Sequence, residues 1–385
     1  MHRRRAGQPV SNGVFVDVHD VPTRHLDIAI VAGVRFDTSE PHAGGLERQT
    51  DVLARSLQRL GHTVTVFAGS GTPTDVPGRG YSVEPLVDEP IELSDVARAD
   101  VSMPPEHFMI EHDAYLDLSD KLRNRSFDLI HNNSLHYLPV VNDGCHPMLH
   151  TLHTPPTPWL ESAHQIGRRR RRGRMMTVSV SHDNAARWPG VVDRVIHNGV
   201  DLDAWSFGEG NGGYAFWSGR LVPEKGAHLA IAAARAAGVR LLLAGPAHDA
   251  EYFQQTLVPE FGPDCVYVGH CLRDDTARYL REASVALVTP CWDEPFGLVV
   301  AEALACGTPV AAFDRGAISE LLTENDGLTV APNDVEALSD AIQVAMRLDR
   351  SACRKSAEDR FSATRMASRY ADAYEDLLAL GAEAC

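Results

Sequence analysis

The chain has 385 residues, 44% of them hydrophobic and 23% charged, and a formal net charge of -16. That length accommodates two domains of ordinary size, each with its own core. A chain this acidic does not suit a nucleic-acid backbone, where affinity comes from neutralising phosphates with cations, so no nucleic-acid partner is expected.

Residues 1–25 open with Met1-His2-Arg3-Arg4-Arg5, but Gln8, Pro9, Ser11 and Asn12 interrupt any apolar run behind the arginines. A loose tail is expected rather than a secretion signal. Residues 26–33 (LDIAIVAG) read as a buried parallel strand, and a loop with Gly44-Gly45 follows. A helix over 46–60 stops at Gly61, and 64–68 is the next strand. This is a βαβ unit with a glycine-bearing first turn, as in Rossmann-like domains. Further strands are expected at 127–131, 148–153, 176–181 and 194–197. The stretch 71–126, rich in Pro, Asp and Glu, reads as loops and helices.

A glycine-rich stretch, 208–213, precedes a second alternation. Strands are expected at 214–219, 241–245, 266–268, 285–289 and 309–313. Helices are expected at 224–237, 274–283, 298–305 and 335–347, with final helices from about 357 to 380. Strands alternating with helices imply doubly wound parallel sheets. The expected division is a tail (1–25), a first Rossmann-like domain (26–205), a second (206–356) and C-terminal helices (357–385). No stretch is apolar and long enough to span a membrane. Seven cysteines, an odd number without C-x-x-C spacing, argue against a disulfide framework and a zinc site. A reducing cytoplasm is the expected location.

Three segments of the second half carry chemistry. SGRLVPEKG, from Ser218 to Gly226, lies where a strand ends and a helix begins. Ligands of open α/β sheets bind at the carboxyl ends of strands, and a helix N-terminus offers unpaired N–H groups to an anion. Arg220 and Lys225 add two cations, which together suit a diphosphate. The second segment, EPFGLVVAEALACGTPV, runs from Glu294 to Val310. Glu302 stands within an apolar helical run, where a carboxylate needs a partner, and a ribose diol can supply two donors. Gly297 lets backbone N–H groups approach a ligand closely. The third segment, RVIHNGVD, marks a tight turn where the domains are expected to join.

The phrases GGLERQT, HNGVD, SGRLVPEKG and EPFGLVVAEALACGTPV, in this order, closely resemble the retaining glycosyltransferases of family 4. The resemblance extends from about Leu26 to the C-terminus and implies the GT-B fold: two Rossmann-like domains facing a cleft. It implies a nucleotide-diphosphate sugar held by the second domain and an acceptor docked mainly on the first. Arg220 and Lys225 would then clamp the diphosphate, and Glu302 would bind ribose hydroxyls. Glu294 would face the donor sugar, with backbone groups of Phe296, Gly297 and Leu298 on sugar and phosphate. Gly45 would approach from the opposite domain. His153, in Leu152-His153-Thr154, matches the histidine that the family places near the anomeric carbon. The family's front-face mechanism lets the leaving phosphate accept the acceptor's proton. No cofactor and no metal are expected, since Arg220 and Lys225 can supply the charge. In the family the final helix crosses back to the first domain.

The expected reaction is transfer of a sugar to a hydroxyl of a small-molecule acceptor of aminocyclitol, inositol or other secondary-metabolite type. Polysaccharide or glycolipid assembly is the alternative. A non-catalytic nucleotide-sugar binder is the alternative from another class. An oxidoreductase is disfavoured, because no G-x-G-x-x-G follows the first strand. Asp201-Leu202-Asp203 reads as a solvated link, and His131 and His136 as structural residues. The run from Arg168 to Arg172 reads first as a solvated helix end. Its alternative is contact with a phosphorylated acceptor or an anionic membrane surface.

Overall fold

The computed structural model describes residues 24–383 apart from 35–37, 39, 43, 70–71, 75, 77, 87–105, 143–145 and 172. Most of the expected tail, together with Cys145, Arg172 and Cys385, lies outside the described residues.

Two parallel sheets form. The first has seven strands: β1 (Asp27–Val31), β2 (Thr63–Ala68), β3 (Ser82–Pro85), β4 (Leu129–Asn132), β5 (Met148–Leu152), β6 (Met175–Ser179) and β7 (Arg194–Val195). Their spatial order is β3-β2-β1-β4-β5-β6-β7. The second has six: β8 (Tyr214–Ser218), β9 (Arg240–Ala244), β10 (Cys265–Tyr267), β11 (Val285–Val288), β12 (Val310–Phe313) and β13 (Gly327–Val330), in the order β10-β9-β8-β11-β12-β13. The central strands are buried on both faces, and their continuous Ile, Val, Leu and Ala runs reflect that.

Helices cover the sheets of the first domain: α1 (Gly45–Arg59), α2 (Glu106–Arg123), α3 (Leu138–Asn142), α4 (Pro158–Arg171) and α5 (His182–Ala186). In the second they are α6 (Ala227–Ala236), α7 (Arg273–Glu282), α8 (Leu298–Ala305), α9 (Ile318–Leu321) and α10 (Val335–Ala345). Two helices close the chain, α11 (Arg350–Arg360) and α12 (Ala363–Glu383). None among the described residues is long and apolar enough to cross a membrane.

The helix expected over 224–237 is two elements. A 3₁₀ turn, Pro223–Lys225, ends at Gly226, whose φ of 69° is left-handed, and α6 starts anew. A Cβ at Gly226 would stand 1.9 Å from the carbonyl oxygen of Thr289, so the close approach of two loops breaks the helix. Two edge strands, β3 and β13, were not legible. Each has only four residues, one of them a Pro or Gly.

The core of the first domain includes Ile28, Ile30, Leu53, Leu57, Val64 and Val66. Met366, Ala367, Tyr370, Tyr374 and Leu377 of α12 belong to that same core. The chain thus leaves the second domain through Phe361, whose carbonyl accepts from Val200 N–H at 2.8 Å, and α12 lies against α1. His131 explains the fit: its Nδ1 is 2.6 Å from Tyr374 Oη and its Nε2 is 2.8 Å from Thr151 Oγ1.

Candidate active site

A cavity of about 340 Å³ lies between the domains, and the carboxyl ends of both sheets point into it. The first domain contributes His42, Gly45 and Arg48 after β1, Leu135 after β4, and His153 after β5. The second contributes Gly219, Arg220 and Lys225 after β8, His270 and Cys271 after β10, and the run from Trp292 to Val299 after β11 apart from Asp293.

The two motif segments of the second domain are bolted together. Cys291 N–H donates to the carbonyl of Glu224 at 2.7 Å, and Thr289 Oγ1 donates to the carbonyl of Gly226 at 2.9 Å. Lys225 Nζ is 2.6 Å from Glu294 Oε2 and 4.9 Å above the ring of Trp292. Trp292 Nε1 donates to the same carboxylate oxygen at 3.0 Å. Arg220 forms a loose pair with Glu224 at 4.0 Å. Gly297 caps α8 with φ 96° and ψ 63°, a left-handed turn that swings the chain into the helix. The first N–H groups of α8 are left without helical partners, and its Leu298 and Val299 line the cavity. Two cations and a helix N-terminus therefore share one cavity with an oriented carboxylate. Such a pole attracts a polyanion.

Gly45 meets this pole from the first domain. A Cβ there would lie 3.3 Å from Leu298 Cδ1, so a side chain would crowd the start of α8. His153 Nε2 donates to Asn133 Oδ1 at 3.1 Å, and Asn133 is held in turn by Gln49 Oε1 at 2.8 Å and Thr50 Oγ1 at 3.2 Å. Burial in the cleft wall pushes the His153 imidazole down to about 3, so it is neutral at neutral pH. His150 stands outside the cavity, stacked on His164 at 4.8 Å. His136 is buried between Tyr115 and Tyr137, with ring centroids at 4.7 and 4.6 Å.

Glu302 does not line the cavity. It lies three and four residues beyond Val299 and Leu298, on the same helix face but deeper. Its side chain is fully buried and pairs with Arg48 of α1, across the domain seam. One oxygen, Oε1, takes that bond; the other, Oε2, has no partner among the described residues.

Other contacts fasten the domains. Arg273 pairs with Glu40 at 3.1 Å, Arg187 with Asp293 at 2.9 Å, and Ser181 Oγ donates to the carbonyl of Pro295 at 2.6 Å. His182, His197 and Glu320 bring ligand atoms within 4.8 Å of one another, a set that could hold a metal ion. The Glu320 carboxylate already accepts from the backbone of His182 and Asp183 and sits 2.6 Å from His197 Nε2, so it clasps α5 to α9. Asp201 accepts from Asp203 N–H and pairs with Arg59, as a link residue does.

The arginine run is largely consumed by backbone carbonyls. Arg171 is fully buried and donates to the carbonyls of His146 and Pro139 at 3.0 and 3.1 Å. Arg170 donates to Val141 O at 2.9 Å, Arg169 to Gln165 O at 3.1 Å, and Arg168 pairs with Asp193 at 2.8 Å.

Sequence reasoning named nine site residues, and eight of them line the cavity; Glu302 is the exception. It missed His42, Arg48 and Trp292. Arg48 stood in the quoted GGLERQT phrase and Trp292 two places before Glu294. His42, two places before the glycine pair, offered no signal of its own.

Two family descriptions divide the chain between them. Glycosyltransferase Family 4 matches residues 43–204, and Glycosyl transferases group 1 matches residues 205–360. The chain belongs to this family of glycosyltransferases, and it is an enzyme of that class with the GT-B fold. It is 28% identical over 348 residues to glycogen synthase of Mycobacterium tuberculosis (strain ATCC 25618 / H37Rv), a match covering 78% of this chain and 82% of the relative. It is 28% identical over 377 residues to D-inositol 3-phosphate glycosyltransferase of Mycobacterium avium (strain 104), covering 85% and 86%. Among solved structures, HepE of Anabaena in complex with UDP and glucose superposes with a TM-score of 0.69 at 19% identity, covering 91% of this chain and all of that one.

Proposed function

We propose that this glycosyltransferase takes a sugar from a nucleoside-diphosphate sugar and transfers it, with retention of anomeric configuration, to a hydroxyl of a small-molecule acceptor. One observation carries the donor half: Arg220, Lys225 and the N-terminus of α8 converge on one cavity beside the Glu294 carboxylate. A diphosphate is the dianionic group that matches two cations and a helix N-terminus. The likeness to HepE, solved with UDP and glucose, supports the same reading.

The division of labour follows. Residues 206–356 form the donor domain, and 26–205 carry the acceptor. Lys225 and Arg220 neutralise the diphosphate as it leaves, the step in which its negative charge grows. Glu294, already oriented by Lys225 and Trp292, accepts hydroxyls of the donor sugar. The backbone of Phe296, Gly297 and Leu298 meets sugar and phosphate. Neutral His153, fixed by Asn133, orients a sugar hydroxyl beside the anomeric carbon. The departing phosphate takes the acceptor's proton on the same face, so the site requires neither a dedicated base nor a metal. Ribose hydroxyls fall to Glu302, which lies one turn beyond the cavity-lining Leu298 and Val299 and whose Oε2 has no hydrogen-bond partner among the described residues. Gly45 leaves room for the phosphate where the domains meet.

A second reading, polymer extension, draws on the likeness to glycogen synthase. One experiment separates them. The protein is incubated with UDP-, ADP- and GDP-glucose and either inositol phosphates and aminocyclitols or an oligoglucan, while release of nucleoside diphosphate is followed. The account expects acceptor-dependent release with a small acceptor and a product that NMR shows to keep the donor's anomeric configuration. Release with the oligoglucan alone favours the polymer; an inverted product overturns retention.

A further inference from the structure

Three buried polar atoms at the domain seam have no hydrogen-bond partner among the described residues: His42 Nε2, Arg48 Nε and Glu302 Oε2. They form one neighbourhood. Arg48 pairs with Glu302 through its NH1 and lies close enough to His42 to act on its imidazole. Burial, reinforced by Arg48, pushes that imidazole down to about 4, so it is neutral at neutral pH. The ring also bonds the backbone of Thr38, which leaves Nε2 as a bare acceptor. Each unpaired buried polar atom costs free energy, and at this seam His42 and Arg48 also line the cavity, within reach of a ligand.

The neighbourhood faces the second domain's side of the cavity. Glu40, two residues before His42, is held by Arg273 at the first position of α7. His270, Cys271 and Thr276, just before and within α7, line the cavity along with His42 and Arg48. Glu40, His42 and Arg48 therefore stand beside the end of β10 and the start of α7, and against α8 through the Arg48–Glu302 pair. The orphaned set is two acceptors and one donor. A vicinal diol, with two O–H donors and oxygens that also accept, matches that set.

We propose that His42 and Arg48 of the first domain are specificity-determining residues for the ribose of the donor. The diol donates to His42 Nε2 and Glu302 Oε2 and accepts from Arg48 Nε–H. This rests on the nucleotide-sugar reading above and adds to it that both domains grip the nucleoside. Ribose binding then rewards closure of the seam, and a nucleotide lacking a hydroxyl leaves a buried acceptor unpaired.

The test is a chemical double-mutant cycle by calorimetry on the full chain. The probes are UDP, ADP and GDP, and the 2′-deoxy and 3′-deoxy forms of whichever binds tightest. Inorganic pyrophosphate serves as a probe of the phosphate pole alone. The wild type is expected to bind a deoxy form roughly tenfold more weakly or worse. His42→Leu is expected to weaken the ribonucleotide about tenfold and bring its advantage over one deoxy form close to unity. Pyrophosphate affinity should stay unchanged, and His42→Gln should recover part of the discrimination. A wild type that binds ribo and deoxy forms equally overturns the proposal, whether or not any variant folds. So does a His42→Leu protein that keeps full discrimination, or one that loses pyrophosphate and both nucleotides alike. If no nucleoside diphosphate binds the wild type at all, the donor reading itself fails.

Discussion

The two domains are built alike and use their polar residues differently. In the second, the motif residues come from two contiguous stretches, 218–226 and 289–302, tied to each other by local hydrogen bonds, with His270 and Cys271 added after β10. In the first, they come from the ends of separate strands, β1, β4 and β5 among them, and the buried polar residues include the imidazoles of His42, His131, His150 and His164. The second domain's two motif stretches are thus held in place within that domain. The first domain is a frame whose histidines are neutral because they are buried. The difference also sorts what mutation and pH will do.

Acid should separate the domains most strongly. Burial pushes His42, His131 and His164 down to about 4, 3 and 4, below an unfolded value near 6.5. Groups lowered in the folded state stabilise fully above the unfolded value, and that stability is lost as pH falls below about 6.5. At pH 5 the loss is on the order of 2 kcal/mol for each of the three. Hydrogen exchange from pH 7 to pH 5 should show β4, β5 and β6 losing protection while β8, β11 and β12 keep theirs. Equal loss in both sheets would break the contrast.

Lys225→Ala comes next. It removes a cation from the phosphate pole and should cut turnover by about 10²–10³, with little change in thermal stability. A fall in turnover below tenfold would move the pole elsewhere.

Tyr374→Phe tests how α12 is held to the first domain. His131 loses the hydroxyl 2.6 Å from Nδ1, and a buried group left unpaired costs about 1–3 kcal/mol. Chemical denaturation should show that loss in the first domain's transition. Arg169→Gln has the smallest expected effect. Arg169 is exposed and bonds the carbonyl of its own helix, so stability should change by less than about 0.5 kcal/mol. A large loss of acceptor or liposome binding in that variant would restore the arginine run as a docking surface.

The same contrast explains what could be read from the sequence. The segments whose residues line the cavity together were legible: Arg220 with Lys225, and Glu294 with Gly297. So was the alternation of apolar strands with helices, because period and length alone define it. What three-dimensional packing decides was hidden. Asn133 bears on the cavity because it holds His153, twenty positions away, and nothing in its own neighbourhood says so. Arg171 sits in a row of arginines that reads as solvent-facing, yet it is fully buried because α4 turns it onto two carbonyls. Glu302 was correctly marked as a buried carboxylate in need of a partner. Its partner, Arg48, comes from 254 residues earlier in the chain.

The central claim is that the second domain alone supplies the diphosphate pole. Calorimetric binding of UDP, ADP and GDP to the wild type, to the double variant Arg220→Ala and Lys225→Ala, and to His153→Ala tests it most directly. The account predicts that the tightest of the three binds the wild type and His153→Ala with similar affinity and the double variant at least a hundredfold more weakly. Undiminished binding to the double variant, or its loss in His153→Ala with the fold intact, would contradict it.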